Sequence, residues 1–173
     1  MKEIVQDGTL VLREIAKPVP KKLFGSRELA TIIADMTKAL DYALEGVALA
    51  APQMGIPYRI FIARKDRTLP PQPEGTPPPP PELEVYINPE IVKTSRKRAL
   101  MDEGCLSVRG VYGTTKRHQR VTIRAQNIDG KTFERGAGGI MAQIFEHEID
   151  HLNGVLFTDH AVNLIHIQHA TTA

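Results

Sequence analysis

Residues 138–154 read GGIMAQIFEHEIDHLNG, and their periodicity decides how the C-terminal half of the chain is organised. Apolar residues recur there at helical spacing: Ile140, Met141, Ile144, Phe145, Ile149 and Leu152. The pattern predicts a helix that starts near the glycine pair at 138–139, runs to about Asn153 and stops at Gly154. One stripe follows the i, i+4, i+7, i+11 spacing: Ile140, Ile144, His147 and His151. The two histidines are therefore expected to continue the apolar stripe and to face the interior.

The histidines of the HEIDH segment are spaced for metal binding. His147 and His151 are four residues apart, which on a helix places them about 6 Å apart along the axis and on the same face. Glu148 sits one step round the helix, from where its carboxylate can reach a metal-bound water without binding the metal itself. Two interior histidines also need a partner, because burying unpaired polar groups is costly. The segment therefore predicts a metal site with the geometry of H-E-x-x-H hydrolases.

The third ligand decides which class of site this is, because catalytic sites usually have three protein ligands and an open position. In the extended motif H-E-x-x-H-x-x-G-x-x-H, Gly154 fits, but Phe157 stands where the third histidine belongs. No glutamate follows Glu148, which excludes peptidases that take a downstream glutamate. Downstream candidates without a recognised spacing remain: Asp159, His160, His166 and His169.

Cys105, the single cysteine, is the alternative third ligand. Its thiolate is a soft donor that can join two imidazoles. In the surrounding EGCLS, Gly104 allows close backbone approach, and the amide of Leu106 is left free to point into the site. A nucleophilic cysteine would need a paired histidine, and the two best histidines are committed to the metal, so a ligand role is favoured. A single cysteine also excludes an intramolecular disulfide.

Composition is that of an ordinary globular chain. The 173 residues are 42% hydrophobic and 24% charged, so residues 1–173 are interpreted as a single domain with one core. The formal net charge of +2 is far from the dense basic surface that binding to a phosphate backbone requires, so no direct nucleic-acid binding is predicted. No stretch has the length and apolar character of a signal peptide or membrane span, which predicts a cytoplasmic protein without membrane contact.

Elsewhere the chain predicts one more helix and a run of strands. Apolar residues at helical spacing predict an amphipathic helix between Ser26 as N-cap and Gly46 as stop. Strand-like segments are YRIFIAR at 58–64, LEVYINPEIV at 83–92 and RVTIRAQNIDGKTFER at 120–135, the last with a hairpin turn at Asp129-Gly130; EGCLSVRGVYG at 103–113 is interpreted as turn-rich. Prolines in residues 68–84 predict a solvated loop. Helices flanking strands indicate an α+β domain.

Three separated motifs resemble those of the peptide deformylase family and come in that family's order: GVALAAPQ at 46–53, EGCLS at 103–107 and HEIDH at 147–151. Further segments look like the framework of the same family: LREIAKPV, YINPEIV and HEIDHLNGVLF. The resemblance covers nearly the whole chain. It implies antiparallel β-sheets packed around a central C-terminal helix that carries HEIDH, together with an N-terminal amphipathic helix.

The resemblance also implies an activity and a metal. The family removes the formyl group from the N-terminal formylmethionine of newly made proteins and releases formate. Cys105, His147 and His151 match its ligands for one divalent ion per chain, which is typically Fe(II), while Zn(II), Ni(II) and Co(II) can occupy the site. N-formylmethionyl nascent polypeptides are the expected partners.

By the same resemblance, further residues have expected roles. Glu148 would act as general base and acid, while the Gln53 side-chain amide and the Leu106 N–H would stabilise charge on the formyl oxygen. Positions that match the substrate pocket are Val47, Ala48, Met101, Gly104, Ile140, Gln143 and Ile144. Glu103 and Arg117 match a pair that braces the site.

The chain departs from the family pattern at several positions. Ala48 replaces a glycine, so a β-carbon is expected where substrate backbone passes. Gln143 adds a polar group to an apolar pocket, Glu146 adds a negative charge near the metal helix, and Arg135-Gly136 replaces a usual Glu-Ala.

The C-terminal tail, from Leu152 to Ala173, has no lysine or arginine and one acidic residue. The basic helix with which some deformylases dock on ribosomal RNA is therefore absent, and ribosome docking is not predicted. Two other classes stay open: a metallopeptidase whose third ligand is Asp159 or His160, and a non-catalytic binding module, for which Ala48 is the motivation.

Overall fold

The computed structural model describes residues 3–167, in which two helices and eight strands form. Their bounds are α1 Arg27–Tyr42, β1 Ala48–Ala50, β2 Ile60–Arg64, β3 Leu83–Thr94, β4 Arg98–Cys105, β5 Val108–His118, β6 Arg120–Gln126, β7 Thr132–Gly138, α2 Gly139–Leu152 and β8 Val162–His166. One sheet has the order β1-β2-β3-β6-β7, and a second has the order β4-β5-β8. All paired strands are antiparallel, which confirms the predicted α+β fold class.

Helix α2 is central because its apolar face packs on the five-stranded sheet. Phe61 of β2 and Tyr86 of β3 stack at 4.5 Å between ring centroids, and Phe145 of α2 meets Tyr86 edge-on at 5.3 Å. All three rings are fully buried. Helix α2 also contacts β5 of the other sheet. A helix with neighbours on both sides can present residues to the space between the two sheets.

The predicted bounds of α2 agree with the structure to within a residue at each end. The predicted interior stripe is correct for Ile144 and His151, which are 5% and 1% exposed, but wrong for Ile140, which is 43% exposed. Ile140 lies in the first turn of the helix, where it lines a cavity.

The N-terminal amphipathic helix, α1, begins as predicted and ends early. Ser26 is the N-cap, and its hydroxyl accepts a hydrogen bond from the Leu29 N–H. The stop predicted at Gly46 is wrong, because the helix ends at Tyr42. The guanidinium of Arg67 donates to the carbonyl oxygens of Leu40, Ala43 and Gly46, which satisfies the end of the helix from a distant segment.

The segment interpreted as turn-rich forms strands instead. β4 and β5 make a long antiparallel hairpin, closed by a two-residue turn at Leu106-Ser107. The hairpin predicted at Asp129-Gly130 is confirmed between β6 and β7. β8, for which no strand was predicted, pairs with β5 as an edge strand.

The proline-rich segment has neither helix nor strand from residue 69 to residue 82, so the predicted loop is confirmed over that range. Its last two residues, Leu83 and Glu84, already belong to β3. In the part of the chain that the structure describes, no helix is long and apolar enough to cross a membrane.

Candidate active site

Three donor side chains meet where the end of β4 faces α2. The Cys105 thiol and the imidazoles of His147 and His151 each offer a donor atom, and these atoms all lie within 4.8 Å of one another. The Cys105 Sγ is 3.2 Å from the His151 Nε2. One thiolate with two imidazoles is a donor set that suits a divalent transition metal. The residues therefore fit a metal ion.

The other candidate ligands lie elsewhere. Asp159 is paired with Arg13 at 2.6 Å, and His160 lies 3.4 Å from Asp150. His166 is on the exposed edge strand β8. Over residues 3–167, none of these joins the Cys105 cluster, and His169 lies outside the described residues.

The ring of His147 is oriented from behind by a buried carboxylate. The His147 Nδ1 lies 3.0 Å from Glu103 Oε2, which leaves Nε2 for a cation. Arg117 donates to both oxygens of Glu103, at 2.7 and 3.0 Å, so the predicted ion pair is confirmed. Thr115 adds a hydroxyl hydrogen bond of 2.7 Å to Glu103. Burial alone would raise the pKa of Glu103, but the hydrogen bonds from His147 and Arg117 outweigh it and hold that pKa well below its usual range.

His151 is the more deeply buried of the two histidines, at 1% exposure. Burial lowers its pKa well below the usual value for an imidazole. The ring is therefore neutral near pH 7, which is the form that binds a cation.

Glu148 faces the same space without a partner for one of its oxygens. The side chain is 4% exposed, and its Oε2 has no hydrogen-bond partner among the described residues. Burial raises the pKa of Glu148 to about 7, against the opposing positive charge of His147. A carboxyl group with a pKa near neutrality can both accept and release a proton, as general acid–base chemistry requires.

Gln53 approaches the Cys105 sulfur from the 3₁₀ turn after β1. Its Oε1 accepts a hydrogen bond of 2.8 Å from the Ala50 N–H, so its amide nitrogen is turned towards Cys105. That nitrogen donates to Ser107 Oγ at 3.1 Å and lies 3.5 Å from Cys105 Sγ. The fixed amide orientation places an N–H donor beside the three metal donors.

These side chains border a cavity of about 870 Å³. Among its lining residues are most of the predicted site residues: Val47, Ala48, Gln53, Gly104, Cys105, Leu106, Ile140, Gln143, Ile144, His147 and Glu148. Two predicted site residues do not line it: His151, which is buried behind the cavity wall at 1% exposure, and Met101, which lies about 13 Å from Cys105 along β4, at roughly 3.3 Å per residue.

Two departures identified in the sequence have structural roles. The Gln143 amide donates to the Asp102 carbonyl oxygen at 2.8 Å and so joins α2 to β4. Glu146 is paired with His118, at 2.6 Å from the ring Nδ1 and 2.8 Å from the backbone N–H. Its charge is therefore directed away from the metal donors.

Sequence reasoning missed the wall of the cavity formed by β5, which includes Arg109 and Tyr112. The Tyr112 ring packs on Gly104, where a Cβ would lie 2.8 Å from the ring. The alternation of inward and outward side chains in residues 108–118 could have predicted strand β5, but Gly110 and Gly113 interrupt that alternation in the sequence. Gly104 thus makes room for a ring of its own chain.

Residues 1–166 match the family model described as polypeptide deformylase. A peptide deformylase of Chloroflexus aggregans is 43% identical over 136 residues, which cover 77% of this chain and 72% of that protein. A solved peptide deformylase from Legionella pneumophila is 37% identical with a TM-score of 0.80, covering 94% of this chain and 87% of that one. A class I type b enzyme from Acinetobacter baumannii, solved with Met-Ala-Ser bound, is 32% identical with a TM-score of 0.79 and covers 91% and 97%.

Proposed function

Because the chain belongs to the polypeptide deformylase family, we propose that Cys105, His147 and His151 hold its catalytic metal and that Glu148 transfers the proton. The chain catalyses the reaction of this family, a metal-dependent hydrolysis that removes the N-terminal formyl group from nascent polypeptides. One observation carries the assignment of residues. The donor atoms of Cys105, His147 and His151 lie within 4.8 Å of one another, and Glu148, whose Oε2 has no partner among the described residues, lines the same cavity as Cys105 and His147.

The metal we propose is one divalent ion per chain. A thiolate and two imidazoles accept Fe(II), the expected ion, as well as Zn(II), Ni(II) and Co(II). When bound, a divalent cation supplies Lewis acidity that lowers the pKa of water and polarises a carbonyl group. Glu103 fixes the ring of His147 for this purpose, and Arg117 fixes Glu103.

Glu148 performs both proton transfers in the proposed mechanism. Its carboxylate takes a proton from the water that attacks the formyl carbon, and it then delivers that proton to the leaving amine. The amine of the product is thereby released in its neutral form, and formate leaves as the second product. A pKa near 7 suits both steps.

Two N–H donors are proposed to stabilise the formyl oxygen as negative charge develops on it. One is the Gln53 amide, whose orientation is set by Ala50. The other is the backbone N–H of Leu106, for which no hydrogen-bond acceptor is found within residues 3–167.

The substrate side chain is proposed to enter the apolar part of the cavity. Val47, Ala48 and Ile144 offer aliphatic surface of the kind that a methionine thioether requires. A relative of the same fold binds the peptide Met-Ala-Ser. We therefore propose N-formylmethionyl nascent chains as the partners, and the cytoplasmic location stays a prediction.

The assay that tests this proposal loads the anaerobically purified protein with Fe(II) or Ni(II) and measures formate from formyl-Met-Ala-Ser. Glu148→Ala should keep its metal and lose formate release by at least a hundredfold, since proton transfer contributes about that much or more. Cys105→Ala should lose both metal and activity, while Asp159→Asn should keep both. Tight metal binding by Cys105→Ala, or full activity of Glu148→Ala, contradicts the assigned roles.

A further inference from the structure

The far end of the β4–β5 hairpin carries a dense set of positive charges. Residues 93–120 contain eight lysines and arginines against two acidic residues, whereas the whole chain has 22 against 20. The rest of the molecule is therefore net negative. The charge that nearly cancels over the whole chain is separated in space.

Two chain reversals bring these residues together. The turn between β3 and β4 lies against the turn between β5 and β6, because the Ser95 N–H donates to the Arg120 carbonyl and the Gln119 N–H donates to the Lys97 carbonyl. Arg98 pairs across the hairpin with His118. The set of exposed cationic side chains at this end is called the basic turn patch: Lys93, Arg96, Lys97, Arg98, Lys116 and Arg120.

The charges of the basic turn patch are not neutralised within the described chain. Among residues 3–167, none of the six side chains forms an ion pair. Two nearby carboxylates are already paired, Glu103 with Arg117 and Glu146 with His118, and Asp102 of β4 accepts a hydrogen bond from Thr114 and forms no ion pair with the patch. Six exposed cations without counter-charges repel one another, so a polyanion that bound them would relieve the repulsion.

We propose that the basic turn patch binds the phosphate backbone of RNA. RNA presents phosphates repeatedly along both strands of a duplex, so a set of lysines and arginines can engage it without base recognition. The patch lies about 20 Å from Cys105, judged by the length of β4 at roughly 3.3 Å per residue. Bound RNA would therefore leave the cavity open to a peptide. The substrate is the N terminus of a newly made chain, which is synthesised on an RNA surface.

An anionic membrane fits the patch less well. Peripheral membrane binding uses an amphipathic helix or inserted aromatic side chains beside the cations. The patch is built from strands and turns, and residues 93–100 and 116–120 contain no phenylalanine, tyrosine or tryptophan. Leu100 is the large apolar side chain most exposed within those two segments, at 69%.

The binding test uses a fluorescein-labelled 16-base-pair RNA hairpin, with anisotropy measured across a series of KCl concentrations. If all six side chains contact phosphates, log Ka should fall with log[KCl] with a slope of about −4 to −5, at roughly −0.7 to −0.9 per contact. The triple variant Arg96→Glu, Lys97→Glu and Lys116→Glu should bind more than tenfold more weakly, and its slope should be shallower by about 2 to 3.

The matched control is the triple variant Lys17→Glu, Lys21→Glu and Lys22→Glu, which changes three exposed lysines and alters the net charge equally. It should bind RNA within about threefold of the unsubstituted protein if the site is local. Hydrolysis of a short formyl-Met peptide checks folding and should be unchanged in both variants. If the patch variant fails to fold, Arg96→Gln with Lys97→Gln replaces it and should still weaken binding at least threefold.

Three results overturn the proposal. The first is no binding of the hairpin by the unsubstituted protein at 50 mM KCl. The second is an equal loss of binding in the patch and control variants, which would indicate general charge attraction. The third is a patch-dependent binding to phosphatidylglycerol vesicles that is tighter than binding to the hairpin.

Discussion

Glu103 shows how much of the site depends on residues that need not touch the substrate. It is 5% exposed and joins His147 to Arg117, which in turn reaches Asp150 at 2.7 Å. The buried charges on Glu103 and Arg117 compensate each other, and the Thr115 hydroxyl donates a further hydrogen bond to the Glu103 carboxylate. The orientation of the His147 ring thus depends on a buried ion pair whose two members lie on β4 and β5.

Replacing Arg117 by methionine should be strongly destabilising. The change keeps the aliphatic volume but leaves the buried Glu103 without its cation, which costs about 3–5 kcal/mol for a broken buried pair. The measurement is the free energy of unfolding in urea, with the metal content determined on the same samples. Arg124→Met is the control, since Arg124 forms its ion pairs with Glu90 and Glu134 at the surface. Equal stability losses in the two variants would mean that burial of the Glu103 pair is not what matters.

At the scale of elements, α2 positions the site residues because its two faces make different contacts. One face packs on the aromatic rings of the five-stranded sheet, and the other presents His147, Glu148 and His151. The end of the helix is fixed at Gly154, whose φ is +74°. A Cβ there would lie 2.6 Å from the Arg13 carbonyl oxygen, so the N-terminal segment crosses this point at backbone contact.

Gly154→Ala should therefore destabilise the fold by more than a left-handed alanine alone. The strained backbone costs about 1–2 kcal/mol, and displacement of the Arg13 backbone adds to it. Gly139→Ala is the matched control, because Gly139 also has a positive φ, +57°, but has no atom within 4 Å of the added Cβ. Thermal and urea unfolding of both variants give the difference. If Gly139→Ala costs as much as Gly154→Ala, the close approach at Arg13 contributes nothing.

At the scale of the whole molecule, the N-terminal segment is tied to the residues that follow α2. The Ala16 N–H donates to the Leu152 carbonyl at 2.9 Å, and Arg13 is paired with Asp159 at 2.6 Å. Burial alone would raise the pKa of Asp159, but hydrogen bonds from Arg13 and the Leu156 N–H outweigh it and lower that pKa below its usual value. The two ends of the described chain are therefore joined by a contact that depends on pH.

The sign of that dependence follows from linkage. A carboxyl group whose pKa is lowered by folding stabilises the protein at a pH above its unfolded pKa, and this contribution is lost as the pH falls through the folded pKa. Asp159→Asn should lower the free energy of unfolding at pH 7, and the difference from the unsubstituted protein should shrink below about pH 4. Urea unfolding at pH 7, 5 and 3 measures it, with Asp129→Asn in the exposed β6–β7 turn as control. A difference that stays constant down to pH 3 would exclude a role for the Asp159 charge.

The sequence alone predicted helix α2 and the face that carries the candidate metal donors, because both depend on local spacing. The helical repeat of residues 138–154 requires an interior face, and the same repeat fixes which side His147 and His151 share. The motif order then pointed to a third ligand in a distant strand, Cys105, and to a family whose model matches the chain. The interpretation of residues 1–173 as a single domain stays a prediction.

Only the tertiary structure decided the features that depend on contacts between distant segments. Helix α1 ends at Tyr42, not at Gly46, and Arg67 donates to the carbonyl oxygens of Leu40 in its last turn and of Ala43 and Gly46 beyond it. The hairpin of β4 and β5 was hidden by its glycines, and Gly104 is explained by a ring eight residues away. The net charge of +2 also could not predict the basic turn patch, because a net charge does not show where the charged residues lie in the fold. Local spacing specifies the chemistry of the site, whereas long-range packing specifies its walls, its supports and the surface around it.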